Sequence, residues 1–99
     1  MADIPTQVLK RVRLFEPLPE ACLAEVAAIA QRRHLEAGNV LFHEGSDPEF
    51  VHALVDGSVV LLSEICGQES VIEFFGSGDS ILLPAVLLGS AYPASARMT

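Results

Sequence analysis

An antiparallel β-sandwich or barrel preceded by two helices is the fold class this sequence predicts, on three observations. The first third of the chain places apolar residues at helical spacing. After Gly38 the pattern changes to short β-branched and aromatic runs, broken by turn residues at intervals of about ten. A length of 99 residues, 51% hydrophobic and 19% charged, suits one modest core and excludes a disordered chain.

The elements follow in order. Val8, Leu9, Val12 and Phe15 predict a helix over 6–15, with Thr6 as N-cap and Lys10, Arg11 and Arg13 on the wet side. Pro17 and Pro19 interrupt it, and Pro19 suits the first turn of a second helix running to about residue 33. The buried stripe of that helix is Leu23, Val26, Ala27 and Ala30, with Glu20 near the positive end of the dipole and Arg32 and Arg33 near the negative end. Strands are expected over 40–44, 50–55, 58–66 and 70–75, separated by residues 45–48, Asp56-Gly57 and Gly67-Gln68. Asp56-Gly57 reads as the strongest of these turns, a two-residue hairpin. Residues 76–80 release the chain, and a short helix follows within 81–88, capped by Asp79 or Ser80 with Pro84 in its first turn.

Charge and cysteine usage exclude several functions. Six Lys and Arg stand against thirteen Asp and Glu, a net charge of −7, whereas phosphate-backbone binding needs clustered cations, so no direct nucleic-acid contact is expected. Beyond residue 34 nine carboxylates face Arg97 alone. The apolar run 81–88 is far short of the roughly 20 residues of a membrane span, and no basic leader precedes an apolar stretch, so a cytoplasmic protein without membrane contact is expected. Cys22 and Cys66 fit no CxxC arrangement and read as reduced thiols in the core. No Gly-x-Ser-x-Gly elbow surrounds any serine, and no catalytic residue is assigned.

The run Gly38-Asn39-Val40-Leu41-Phe42-His43-Glu44-Gly45-Ser46, then Gly57, Gly67 and Gly78-Asp79, resembles the effector domain of the cyclic AMP receptor protein and fumarate–nitrate regulator family of bacterial transcription factors. The resemblance implies a mainly β domain with flanking helices, a jelly-roll (double-stranded β-helix) of the cyclic-nucleotide-binding type, with 1–33 as the helical part and 34–99 as the β-roll. Glu44, beside Gly45, is expected to accept turn N–H groups.

In nucleotide-binding members of that family a Gly-Glu pair follows Gly-Asp, and farther on an Arg precedes Ser or Thr and Ala; these residues hold the ribose and the cyclic phosphate. Here Gly78-Asp79 is followed by Ser80-Ile81-Leu82-Leu83-Pro84, the Arg position reads as Ala94, and Ser95 and Ala96 keep the rest. Arg97 lies three residues on, which reverses the face of a strand and shifts it by about 10 Å. The residues assigned to ligand binding are therefore Gly78, Asp79, Ile81, Leu82, Leu83, Ala94 and Ser95, forming an apolar pocket for an unidentified small-molecule effector rather than for cyclic AMP. The resemblance assigns the chain as a sensor domain without its DNA-binding part.

Three alternatives stand beside this. Haem is a candidate cofactor, since some family members sense gases, with His34, His43 or His52 as axial ligand; surface or core-edge histidines are the plainer reading. An iron–sulfur cluster is excluded by there being only two cysteines. A cupin-type metalloprotein shares the roll, yet His43 and Glu44 are neighbours on a strand and point to opposite faces. The last alternative is a ligand-free oligomerisation or binding module. Family members continue beyond the Ser-Ala strand, whereas this chain stops at Met98-Thr99, so a roll truncated at the C-terminus, with an open edge that favours self-association, is expected.

Overall fold

The computed structural model describes residues 4–99. Two helices, α1 (Thr6–Leu9) and α2 (Glu20–Ile29), precede β1 (Val40–Phe42), β2 (His52–Ala53), β3 (Ser58–Ile65), β4 (Gln68–Gly76), β5 (Ser80–Ile81), α3 (Leu83–Leu88) and β6 (Ser95–Met98). The strands form a four-stranded sheet in the order β1-β6-β3-β4 and a two-stranded sheet of β2 and β5, with every pairing antiparallel. Phe42, Val59, Leu61, Ala94 and Ala96 from the larger sheet and its approach close on Leu54 and Ile81 from the smaller one, which gives the jelly-roll its core. Along β3 the period of two holds: Val59 and Leu61 face this core, and Val60 and Leu62 lie on the outer face.

The helical part is shorter than the sequence predicts. α1 ends at Leu9 because the N–H of Arg13 is taken by Gly78 O (2.9 Å), and residues 10–18 continue as tight turns, with Val12 buried. Thr6 is no N-cap: its hydroxyl donates to Glu20 Oε1 at 2.6 Å. That bond, with Lys10 beside it, holds the Glu20 carboxyl below its usual pKa and ties α1 to α2. α2 stops at Ile29, and Ala30 is already extended (ψ 151°), so Arg32 and Arg33 are exposed and outside its last turn. The chain has to reach β1, where Gly38 N–H donates to Met98 O, and an extended 30–37 spans that distance. Leu23 and Ala27 are buried against Leu9 as the stripe predicts, with Val26 packed beside them.

The turns are redistributed as well. β2 pairs with β5 rather than β3, so Asp56-Gly57 is a crossing between sheets and not a hairpin. Asp56 pairs with Arg11, and Gly57 donates its N–H to Ser77 Oγ at 3.1 Å. The tight hairpin is Cys66-Gly67, joining β3 to β4 with Ile65 opposite Gln68. Both residues have positive φ (+54° and +77°), the requirement of a type I′ turn. Both cysteines are exposed, so neither belongs to the core. The expected strand 50–55 shrinks to His52–Ala53, and the expected strand 40–44 to Val40–Phe42.

Cys66 is a non-glycine residue held in a left-handed conformation, which costs roughly 1–2 kcal/mol per residue for most side chains and less for Asn. Cys66→Asn is expected to stabilise the fold and Cys66→Val to destabilise it, each by about 1 kcal/mol, read as a rise and a fall of the urea midpoint of unfolding at unchanged slope.

Candidate functional site

The segment from Gly76 to Leu88 begins in a turn that Asp79 closes on itself. Gly76 N–H donates to Asp79 Oδ2 (2.9 Å), and Asp79 N–H donates to Gly76 O (3.1 Å). The other carboxylate oxygen pairs with the Arg13 guanidinium. Gly78 N–H donates to Leu54 O (2.7 Å), and Leu54 N–H to Asp79 O (2.8 Å), so the turn is fastened to the chain after β2. Gly78 has φ +92°, and a Cβ there would stand 3.0 Å from Arg11 O, so only glycine fits. Gly78 and Asp79 thus act as an anchor between the N-terminal turns, the β2 strand and the start of α3.

Beyond the anchor, Ile81 is fully buried in the core. Leu82 takes a left-handed backbone (φ +49°) at the N-cap of α3, and no side chain caps that helix, so neither Asp79 nor Ser80 does so. Pro84 lies in the first turn, as the sequence suggests. Leu82 and Val86 pack against the same cluster as Ile81, while Leu87 and Leu88 face outward. Ahead of β6, Tyr92 lies flat on Phe42, with ring centroids 3.7 Å apart and planes 9° apart, and its hydroxyl donates to Phe50 O at 3.4 Å. Burial, with Glu49 nearby, pushes the Tyr92 phenol pKa up.

The seven assigned residues therefore divide. Ile81, Leu82 and Ala94 converge inside the roll with Val86; Leu83 opens α3 at its partly buried end; Gly78 and Asp79 anchor. Ser95 lies on the opposite face of β6 from Ala94, where its Oγ accepts the N–H of Glu44 at 2.8 Å. Glu44 accepts from Ser63 Oγ (3.0 Å) and the N–H of Glu64 (3.3 Å), so it braces β3 and not the Gly45 turn.

Among the described residues no cation enters the interior. Lys10 pairs with Glu20, Arg11 with Asp56, Arg13 with Asp79 and Arg97 with Glu69, while Arg32 and Arg33 are exposed. Two open clefts lie elsewhere. One of about 440 Å³ is lined by His43, Glu44, Leu62, Ser63, Glu64, Glu69 and Ser95. The other, about 210 Å³, has the Phe42–Tyr92 pair as its floor and Arg33, Asp47, Glu49, Phe50 and His52 around it. Of the assigned residues only Ser95 borders either cleft.

The sequence reading missed Tyr92, although its signal was present: 92, 94 and 96 form one alternating inward row. His52 was named only as a haem ligand. It sits between the rings of Phe42 (5.7 Å) and Phe50 (6.5 Å), and burial followed by the charge of Arg33 holds its pKa below 6.5. His34 and His43 are exposed, and the cleft beside His52 is open and bordered by the carboxylates of Asp47 and Glu49, so these residues do not fit that group. Among the described residues no three His, Cys, Asp or Glu side chains converge as a metal ion requires.

Residues 32–99 match the cyclic nucleotide-binding domain model, and the chain belongs to that family. No curated protein sequence matches it significantly. Among solved structures it is similar to the regulatory domain of Toxoplasma gondii PKA crystallised with cAMP, at 28% identity and TM-score 0.83 over 95% of this chain and 36% of that one. The sensor domain of the transcriptional regulator DNR from Pseudomonas aeruginosa is 26% identical, TM-score 0.79, over 94% of this chain and 63% of that one. A cyclic nucleotide-binding-like protein from Brucella abortus is 27% identical, TM-score 0.76, over 94% and 80%. The chain spans less than half the length of the first three structures it matches. The resemblance read from the glycine-punctuated block is borne out, and the neighbours include the DNR sensor domain and the N-terminal domain of a transcriptional regulator from Streptomyces coelicolor.

Two outcomes follow from the anchor and the imidazole. Gly78→Ala is expected to cost about 1–3 kcal/mol, from positive φ and the clash with Arg11 O, read by chemical unfolding. For His52 the unfolded chain binds the proton more tightly than the folded one. Its contribution to stability is whole above pH 6.5 and declines as the pH drops below that value, so His52→Gln should flatten the stability profile on the acid side of pH 6.5.

Proposed function

We propose that this chain is the effector-sensing part of a cytoplasmic bacterial transcription regulator, answering to a small molecule other than a cyclic nucleotide, by binding and without catalysis. One observation carries the reading: Ile81, Leu82 and Ala94 meet in a closed apolar interior that no guanidinium enters. A cyclic phosphate brought there would lose its water without gaining a charge-assisted partner, and such partners are about twice as strong as neutral ones. The effector in this reading is apolar, and it reaches Ile81, Leu82, Leu83 and Ala94 only once α3 moves off the core. The similarity to the DNR sensor domain and to the N-terminal domain of a Streptomyces transcriptional regulator supports the role.

A second reading is a module that assembles with other chains, itself included, without any small ligand. It is favoured by the filled interior and by β4, which ends the larger sheet with an open edge.

Calorimetric titration with cyclic AMP and cyclic GMP tests both readings against the nucleotide alternative. No binding heat is expected from either nucleotide up to millimolar concentration. A saturable micromolar response to one of them would overturn the proposal.

A further inference from the structure

Strand β4, nine residues long, pairs only with β3, and among the described residues the main chain of 69–75 has no other hydrogen-bond partner. Alternate N–H and C=O groups along it face outward, a ready template for another strand. The strand contains no Lys, Arg or Pro to discourage pairing, and its one irregularity is a register shift at Ile72. On the outer face Phe74 stands opposite Val60 and Val71 opposite Leu62; Phe74 and Val71 are 68% and 56% exposed.

The hairpin end of the same edge is negatively charged. Glu64 and Glu69 lie directly opposite each other, and with Glu44 they line the 440 Å³ cleft whose wall includes Leu62. Like charges on paired residues repel, and Arg97, 3.3 Å from Glu69, is the one cation bridged to these carboxylates among the described residues. A segment with apolar side chains beside Phe74 and Val71, and cations beside Glu64 and Glu69, would satisfy the open ladder and relieve that repulsion together.

We propose that the free edge of β4 accepts an extended basic and apolar segment of a partner protein as an added strand. Its apolar residues lie against Val71 and Phe74, and its Lys or Arg side chains lie at the Glu64–Glu69 end. This names the partner of the assembly module and rests on that second reading. A second copy of this chain brings its own carboxylates to the same edge at a net charge of −7, so electrostatics favour the basic strand over self-pairing.

The probe is a fluorescein-labelled peptide alternating valine and threonine with two lysines at one end, titrated with the whole chain and read by fluorescence anisotropy. Saturable binding is expected, weakened at least about tenfold when glutamates replace the lysines or when the chain carries Glu64→Gln with Glu69→Gln. Methylating alternate peptide nitrogens, which removes ladder donors and leaves the charge, is expected to abolish it. Phe74→Ser, at an exposed position, is expected to weaken binding while the far-ultraviolet dichroism stays unchanged. Binding that survives N-methylation overturns the added strand. Sedimentation of the chain alone separates the remaining outcomes. A dimer that Phe74→Lys disperses, with no peptide binding, overturns the basic partner and keeps the assembly module; a monomer that binds no peptide overturns both.

Discussion

Tyr92, Ala94 and Ala96 make one inward-facing row, and all three are buried where β6 runs between β1 and β3. The row meets Phe42 and Ile81, so among the described residues the interior has no polar side chain to offer a guest beyond the Tyr92 hydroxyl, already committed to Phe50 O. A guanidinium in this row would be a buried charge, costly by several kcal/mol unless an anion answered it. The row is filled by apolar packing in which no such charge has to be answered, and the proposed preference for an uncharged guest rests on that packing.

The anchor at Gly78 and Asp79 gives this core its connection to the rest of the chain. Through Arg13, Leu54 and Gly76 it joins the N-terminal turns, the smaller sheet and the base of α3 at one point. α3 itself is six residues long, starts from a strained Leu82 and exposes Leu87 and Leu88. Few buried contacts hold it, whereas Ile81 before it is locked in the core, so local opening is cheapest on the α3 side of that boundary. The outer face of the larger sheet is a separate surface, where Glu44 and Ser95 work as braces between strands and the glutamates near the hairpin set the field.

Local signals in the sequence identified the class of fold, the long β3 and β4 strands, the buried stripe of α2 and the proline-started α3. Partnerships between distant residues were not legible. Asp56-Gly57 reads as a hairpin because its two residues suit one, but β2 and β3 belong to different sheets, and the pairing of His52 with Ile81 overrides the turn. Cys66-Gly67 takes the hairpin instead, a choice that cysteine does not announce. The early end of α1 depends on a hydrogen bond from Arg13 to a carbonyl 65 positions away, which no helical periodicity encodes. At the site, the apolar substitutions pointed to a greasy interior, and the structure adds that Tyr92 and its neighbours fill it. Ser95 was placed with Ala94 by motif, although adjacent residues on a strand face opposite ways.

The most direct check is a methyl-labelled NMR spectrum of the whole chain recorded with and without millimolar cyclic AMP. The methyls of Ile81, Leu82, Ala94 and Ala96 should keep their shifts, as a closed uncharged interior requires. Progressive, saturable movement of those signals would show that an anion enters the roll, and it would contradict the account at its centre.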